Sequence, residues 1–279
     1  LVPDADAWIF TSRDREEELA AFARRLKAER RAGRLTADQR VALVVRRPLP
    51  YLYLARDVLG RAGIPYETRD TLPLAAEPFA AAIDVLFEWV TSGFTRAATL
   101  AVLRSPHFRF LDGEAPLDGR AVVALDRALA EARYLGDPDR LAALVETWSA
   151  LPERRRHEHA RLALPAARAA AAAAACLKPL ATPRSVGDHV ATLMAFLEHY
   201  LRPLADDDPL HSREARVRSA VVGACQSLAA AYAAFDAEEA LDVTVVAAAV
   251  RRWLGAQTFA PPTGQGGVQI VDPATAPYG

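Results

Sequence analysis

The sequence predicts a predominantly helical α/β protein in which a small parallel sheet is interrupted by a large all-α insertion. Three observations support this fold class. Short apolar runs alternate with helical segments over residues 1–75. Nearly continuous helical periodicity then extends from Pro73 to Leu254. Finally, an apolar strand returns at Val268–Val271, after a loop rich in glycine and proline.

The first part of the chain is predicted to contain a short strand, Trp8–Phe10, and then a helix. Ser12 or Asp14 can cap this helix, and Gly33 can end it. Glutamates stand in its first turn, at Glu16–Glu18, and cations stand in its last. This order of charge suits the helix dipole, which supports the prediction.

Five consecutive apolar residues bounded by charge, Val41–Val45, predict a strand that is buried on both faces, as in parallel sheets. A helix is predicted at Tyr51–Ala62 and an extended segment at Tyr66–Arg69, which completes a right-handed strand-helix-strand unit. Ligands of open parallel sheets bind beyond the carboxyl ends of the strands. Arg46 and Arg47 therefore stand where a phosphate would be bound.

The stretch Val41–Glu67 resembles the fourth motif of UvrD-type superfamily 1 helicases, in the branch that contains the AddB helicase-nucleases. In that motif a strand ends in arginine, and a helix is followed by a Gly-Ile-Pro-Tyr turn, here Gly63–Tyr66. The segment Glu77–Phe108 is similar to the helix pair that leads to the family's Leu-Arg-Ser-Pro turn. Over the rest of the chain the resemblance lies in the order of the elements.

The resemblance implies a RecA-like second motor domain (2A) at residues 1–75 and 258–279, and a helical insertion (2B) at residues 76–257. It implies a fragment of a bacterial DNA helicase or helicase-nuclease that acts in DNA repair and recombination. Arg46, with Arg47 beside it, would contact the terminal phosphate of ATP, with magnesium, in the parent protein. The expected partners are single-stranded or forked DNA, the remaining domains of the polypeptide and a partner helicase-nuclease subunit.

This chain alone is expected not to bind or hydrolyse ATP, and we predict no catalytic residue in it. It contains no G-x-x-x-x-G-K-[ST] loop for the phosphates. At the position where active members of the family have an aromatic residue that packs on the adenine, this sequence has Val45. The segment Val268–Thr275 is only weakly similar to the family's T-x-H-x-A-K-G motif. A small Rossmann-like enzyme is disfavoured because the glycine fingerprint is missing after the first strand.

The densest basic run predicts a nucleic-acid contact. Arg154, Arg161 and Arg168 recur every seven residues, so on a helix they share one face, which can follow a duplex backbone. The net charge of −1 requires such a patch to be local. The alternative is a solvated helix face that Glu153 and Glu158 partly neutralise.

No metal site is predicted. His157 and His159 are two residues apart, so on a helix they point to different sides and cannot bind the same ion. The carboxylates of Asp206–Asp208 are predicted to lie in an exposed loop. Cys176 and Cys225 are expected to be buried free thiols in a reducing compartment. We expect a cytoplasmic protein without a signal peptide, and no membrane partner, because the longest alanine tract is weakly hydrophobic.

One alternative function remains open, that of a non-catalytic helical protein-interaction scaffold. Its signature would be a large exposed apolar groove among the helices of the insertion, with the three arginines of the basic run pointing apart.

Overall fold

The structure is a computed structural model that describes residues 11–36, 39–46, 48–68, 72–151, 158–205, 207–208, 210–235, 239–259, 267–271 and 273. The helices of these residues are α1 (Arg15–Arg31), α2 (Pro48–Arg61), α3 (Pro78–Thr91), α4 (Arg96–Arg104), α5 (Gly119–Glu131), α6 (Pro138–Ala150), α7 (Glu158–Leu177), α8 (Val186–Tyr200), α9 (His211–Phe235) and α10 (Val243–Ala256). The strands are β1 (Val41–Val44), β2 (Tyr66–Thr68), β3 (Leu72–Pro73), β4 (Leu111–Asp112), β5 (Ala115–Pro116), β6 (Thr258–Phe259) and β7 (Val268–Val271).

The chain forms two compact units. An α/β unit contains residues 1–72 and 259–279, and a helical unit contains residues 73–258. Of the residues that the structure describes, 67% are helical, and three strands form a small parallel sheet. The predicted class, a mostly helical α/β protein, is therefore confirmed. The two-stranded pairs β3–β6 and β4–β5 were not expected from the sequence.

The sheet of the α/β unit has the strand order β1-β7-β2, and both pairings are parallel. Val41–Val44 of β1 lies opposite Val268–Val271 of β7, and Tyr66 of β2 also lies opposite Val268. The last strand of the sequence is thus inserted between the first two. It is also the buried strand, because Val268 and Ile270 have no exposed surface.

The prediction that β1 is buried on both faces was wrong. Its residues alternate between intermediate and exposed, and Val44 is 51% exposed. Among the described strands β1 lies at an edge of the sheet, so only β7 has a strand on each side. A continuous apolar run is typical of a central strand but does not distinguish a central from an edge position. The predicted strand Trp8–Phe10 lies outside the described residues.

Helix α1 begins and ends as the sequence predicts. Asp14 is its N-cap, and the Asp14 carboxylate accepts a hydrogen bond of 2.9 Å from the Glu17 amide. Leu19, Ala23 and Leu26 form its buried stripe, and α1 packs against α2 within the α/β unit. The apolar spacing therefore fixes which side of α1 faces the core and which side faces solvent.

In the helical unit α3 and α4 form a hairpin around buried Trp89. The Trp89 indole Nε1 donates a hydrogen bond of 2.9 Å to Thr99 Oγ1, and Thr99 in turn donates to the Thr95 carbonyl at 2.9 Å. Neither Trp89 nor Thr99 has exposed surface. Both polar groups are satisfied, so their burial carries no desolvation penalty from an unpaired donor.

The turns that end α3 and α5 interlock. The Gly93 carbonyl accepts a 2.8 Å hydrogen bond from the Asp137 amide, and a Cβ atom on Gly136 would lie only 2.7 Å from that oxygen. The Tyr134 hydroxyl lies 2.8 Å from the Phe94 carbonyl oxygen and 3.1 Å from that of Asp137. The Gly136-Asp137-Pro138 turn therefore joins the end of α3 to the start of α6.

Helix α7 packs against α5, α6 and α8, and most of its alanines on this side have no exposed surface. By length and composition, the stretch Ala160–Ala181 is apolar enough to cross a membrane, with a mean hydropathy of 1.3, contrary to the expectation from the sequence. Of that window 56% is buried inside the protein, as in the core helix of a globular unit. Pro165 lies within α7, which continues through it.

Helix α8 begins at a Ser-x-x-Asp sequence, which is typical of an N-terminal cap, and Ser185 is its N-cap. Ser185 Oγ accepts a 3.1 Å hydrogen bond from the Asp188 amide. The residue before this cap, Arg184, forms a reciprocal backbone bridge with Leu241, just ahead of α10. The starts of α8 and α10 are therefore held together in the helical unit.

Candidate functional site

Arg46, one of the two residues predicted to contact a phosphate, lies at the carboxyl edge of the parallel sheet and is exposed to solvent. β1 continues to Val45, whose amide donates a 2.9 Å hydrogen bond to the Val271 carbonyl of β7. Arg46 follows directly and is exposed. Among the described residues no hydrogen bond or ion pair involves the Arg46 side chain. A guanidinium in this position can receive a phosphate with two parallel hydrogen bonds.

The rest of the predicted phosphate site is only partly described. Arg47 and Asp272 lie outside the described residues. Val45 is 9% exposed and packs in the α/β unit, so this position offers neither an aromatic ring nor free surface for a base. The described edge therefore supplies a cation for a phosphate and no platform for an adenine.

The structure describes two of the three arginines predicted to contact nucleic acid. Arg161 and Arg168 are both exposed on α7, and their seven-residue spacing places them about 10 Å apart along one side of the helix. Arg168 donates a 3.3 Å hydrogen bond to Ser149 Oγ at the end of α6. Arg154 lies outside the described residues. The two described arginines share a face, as the sequence predicts.

A nearly buried ion pair between α3 and α9 was missed by the sequence analysis. Glu77, at the start of α3, has a side chain only 5% exposed. Arg213 donates to both of its carboxylate oxygens, at 2.6 and 3.3 Å. The next residue of α9, Glu214, accepts a hydrogen bond from Arg218 one turn later, and the Arg218 guanidinium lies 5.6 Å from the centre of the Phe79 ring.

His107, in the Leu-Arg-Ser-Pro-His turn after α4, adjoins these charges. Its ring lies 5.6 Å from the Phe79 ring, edge to face, and its Nδ1 is 3.5 Å from Glu214 without a hydrogen bond among the described residues. Burial lowers the pKa of His107, and Glu214 only partly opposes this effect. The cluster of cations and carboxylates is balanced, so its geometry indicates packing of the turn on α9 rather than catalysis.

A groove of about 480 Å³ lies beside the same turn. Its apolar lining comes from Leu103, Phe108, Phe110, Leu117, Pro203 and Leu204. Arg109 and Arg202 also line it, and both are exposed. They stand on two segments joined by the Phe108–Leu201 bridge, in which the Arg109 amide donates to Tyr200 at 2.7 Å and the Arg202 amide donates to His107 at 2.9 Å.

The histidines and cysteines form no site in the part of the chain that the structure describes. No three histidine, cysteine or acidic side chains come together there to hold a metal ion. His157, the His159 side chain and Asp206 lie outside the described residues, and Asp208 caps its own loop by accepting from the Leu210 amide at 2.7 Å. Cys176 is exposed, so the expectation that both thiols are buried was wrong for it. Burial raises the pKa of Cys225 to about 11, which keeps that thiol protonated and unreactive.

His189 is a core residue that holds α8 to the segment before α10. It is 1% exposed, its Nε2 lies 2.9 Å from the Leu241 carbonyl, and its Nδ1 has no partner among the described atoms. Burial lowers the pKa of His189, although the hydrogen bond to Leu241 partly opposes this effect. The neutral imidazole fits the pocket, because a second N–H would be a buried donor without an acceptor.

Acidification is therefore expected to destabilise the helical unit. The unfolded histidine takes up its proton near pH 6.5, whereas folded His189 takes it up at a lower pH, so the unfolded state binds more protons in between. Stability is then lost as the pH falls from about 6.5 towards the folded pKa. Urea unfolding at pH 7.5 and 5.5 should show a smaller decrease for His189→Gln than for the native chain.

The matched control is His199→Gln, because His199 is exposed on the same helix. This variant should keep the pH dependence of the native chain. An unchanged dependence in His189→Gln would contradict the assignment of the neutral buried imidazole.

The described side chains include an exposed arginine at the carboxyl edge of the sheet, Arg46, and two exposed arginines on one face of α7, Arg161 and Arg168. No protein-family model matches the chain, and no curated protein is found that is similar to it.

Proposed function

We propose that this chain is part of a bacterial UvrD/AddB-like DNA helicase or helicase-nuclease that acts in DNA repair and recombination, in the cytoplasm. In this proposal the α/β unit is a portion of the RecA-like 2A domain and the helical unit is its 2B-like insertion. The parent protein binds ATP with magnesium, and this chain supplies Arg46 to the terminal phosphate, with Arg47 beside it. The chain guides DNA and hydrolyses no ATP by itself.

The observation that carries the proposal is the position of Arg46 in the parallel sheet. It follows β1 at the carboxyl edge, beside the end of a strand that enters the sheet only after the whole helical unit. Parallel α/β sheets bind their ligands at this edge. A strand order in which a late strand lies between two early ones is also what a motor domain with an insertion requires.

The basic side of α7 supports the part of the proposal that concerns DNA. Arg161 and Arg168 are exposed on one face, and phosphate contacts need cations that are accessible and lie side by side. In the proposed parent protein this face follows single-stranded or forked DNA. The functional helicase would also contain the other domains of the polypeptide and a partner helicase-nuclease subunit.

The test is DNA-stimulated ATP hydrolysis by the intact polypeptide that contains these residues. Arg46→Ala is expected to lower kcat by about 10³-fold, which is typical when an arginine that stabilises the transferring phosphate is removed. Arg46→Lys should restore little activity, because an ammonium keeps the charge but lacks the planar fork.

The matched control is Arg40→Ala. Arg40 is exposed and precedes β1, so it lies at the opposite end of the strand from Arg46, and its removal should leave kcat unchanged. Equal effects of the two variants would contradict a phosphate contact at the carboxyl edge. The whole proposal fails if the intact protein retards no forked DNA in a gel at low salt.

The groove beside the Leu-Arg-Ser-Pro-His turn favours a second candidate, a non-catalytic helical scaffold for a protein partner. Its lining is partly apolar and it lies within the helical unit, where a scaffold is expected to have its docking surface. The shared face of Arg161 and Arg168 supports the first candidate instead. The forked-DNA gel distinguishes them, since a scaffold of this kind would not retard DNA.

A further inference from the structure

The carboxyl half of α1 carries an unusual concentration of positive charge. Between Arg24 and Arg34 there are six cations and one carboxylate, Glu29, whereas the whole chain has a net charge of −1. Apart from Glu29, the acidic residues of this helix lie in its first turn. The charge is therefore local, as a binding surface for a polyanion requires.

Three of these cations form a stripe on the solvent side of the helix. Arg24, Lys27 and Arg31 are spaced by three and four residues, so they share one face. All three are exposed, and none of them belongs to the buried stripe of α1 formed by Leu19, Ala23 and Leu26. We call Arg24, Lys27 and Arg31 the α1 stripe. Arg30 is also exposed at its margin.

The α1 stripe is available to an external anion. Glu29 is already occupied by Arg34, which donates to its two carboxylate oxygens at 2.6 and 3.0 Å. Within the described ranges no hydrogen bond or ion pair involves the side chains of the stripe. Their positive charge is thus not neutralised by the protein's own described residues.

The helix dipole does not explain this pattern. Cations stabilise the last turn of a helix, and the effect falls off within that turn. Arg31 is in the last turn of α1, but Lys27 lies one turn and Arg24 two turns before the end. Three mutually repelling cations on one face are also unfavourable for an isolated helix. Their arrangement therefore requires another explanation.

We propose that the α1 stripe binds the phosphate backbone of a nucleic acid. Neighbouring cations on a helix lie about 5–6 Å apart, close enough to contact successive phosphates of one strand. Two of the three are arginines, whose fork matches phosphate oxygens. Contacts to phosphates carry no sequence information, so in this proposal the α1 stripe binds nucleic acid without base specificity.

The same face is poorly suited to an anionic membrane. Interfacial helices insert bulky apolar side chains such as Trp, Phe or Leu beside their cations. The exposed side of α1 presents Ala28 between the basic residues and no large apolar side chain, since Leu19 and Leu26 are buried. The charge without an apolar anchor favours nucleic acid over lipid.

This inference does not depend on the proposed function. It uses neither Arg46 nor the arginines of α7, and it requires no nucleotide hydrolysis. If Arg46→Ala has no effect on ATP hydrolysis, the inference about the α1 stripe is unaffected. If the α1 stripe does not bind nucleic acid, the proposed phosphate contact of Arg46 is likewise unaffected. It adds a second basic surface, on the α/β unit, to the one on α7.

The test measures binding of the 279-residue chain to fluorescein-labelled oligothymidylate and to a labelled mixed-sequence duplex, by fluorescence anisotropy over a range of salt. The variant Arg24→Gln/Lys27→Gln/Arg31→Gln keeps good helix formers at all three positions. Its affinity for the single strand should fall about tenfold or more. The slope of log K against log salt should decrease by about 2, as expected for three lost phosphate contacts.

The matched control, Arg120→Gln/Arg127→Gln/Arg252→Gln, removes the same charge from exposed positions on α5 and α10. It should change the affinity less than twofold. If the two triple variants lose the same affinity, the effect is due to net charge alone, and the proposal is overturned. Native binding to phosphatidylserine vesicles as tight as to the oligonucleotides, or no native binding at low salt, would also overturn it.

Two single variants test the proposal independently of any folding defect in the triple variant. Arg24→Gln and Lys27→Gln should each keep the native circular dichroism spectrum and each reduce the salt slope by about 0.7 on the single strand. Unchanged slopes in both single variants would overturn the proposal, whatever the triple variant does.

Discussion

Replacing Gly267 by alanine is expected to break the parallel sheet while the helical unit remains folded. Gly267 precedes β7 with a φ of +120°, and a Cβ atom there would lie 2.1 Å from the Pro65 carbonyl oxygen. That oxygen accepts a 2.9 Å hydrogen bond from the Val268 amide, which places β7 beside β2. The Cβ atom and the carbonyl oxygen that it would meet are both fixed by the backbone, so no side-chain rotation can relieve the clash. The α/β unit should lose about 3 kcal/mol or more.

Hydrogen exchange measured by mass spectrometry reports this loss locally. Peptides that contain β1 and β2 should lose protection in Gly267→Ala, whereas peptides from α3 and α7 should not. The control is Gly60→Ala, in the same unit, where a Cβ atom would meet nothing within 4 Å. Gly60 lies within α2, so alanine there should stabilise by about 0.5–1 kcal/mol. Native-like protection in Gly267→Ala would contradict the register of β7.

The second large effect is expected at the ion pair between α3 and α9. Glu77→Ala removes the carboxylate that accepts two hydrogen bonds from Arg213, whose side chain is 19% exposed. Removal of one partner from a buried pair is strongly destabilising, and the partial exposure of Arg213 reduces the effect to about 2–4 kcal/mol. Urea unfolding followed by tryptophan fluorescence measures it, because Trp89 and Trp148 are buried in the helical unit.

Two further variants separate the loss of the pair from the loss of charge. Glu77→Leu/Arg213→Met removes both ions and should recover most of the lost stability, since a buried pair contributes little beyond an apolar replacement. Glu198→Gln removes an exposed carboxylate of α8 and should change stability by less than about 0.5 kcal/mol. If Glu77→Ala behaves like Glu198→Gln, the pair is not formed in solution.

Local signals allowed much of the fold to be predicted. Asp14 and Ser185 cap helices where the sequence places the caps, because the short polar side chain and the apolar stripe are both within one or two turns. The order of helices followed from proline and glycine breaks. The sheet was predicted from two apolar runs at opposite ends of the chain, which have no other place to be buried.

What could not be predicted depends on residues distant in sequence. Glu77 and Arg213 are 136 positions apart, and nothing around either residue marks its partner. The exposed face of β1 followed from its edge position, which only the strand order reveals. Arg46 was predicted as a site residue from its place after a strand, and the structure describes it there, in solvent. The α1 stripe was visible in the sequence, but its charges were attributed to the helix dipole.

The insertion of β7 between β1 and β2 has a consequence for the synthesis of the protein on the ribosome. Glu67 of β2 and Gln269 of β7 are 202 positions apart, so β1 and β2 cannot pair with β7 until the residues between them have been translated. During this interval both strands expose unpaired backbone edges that other chains can extend. The helical unit can fold meanwhile, since its contacts lie within residues 73–258. Slow translation or truncation before residue 268 would therefore yield a molecule with folded helices and an aggregation-prone N-terminus.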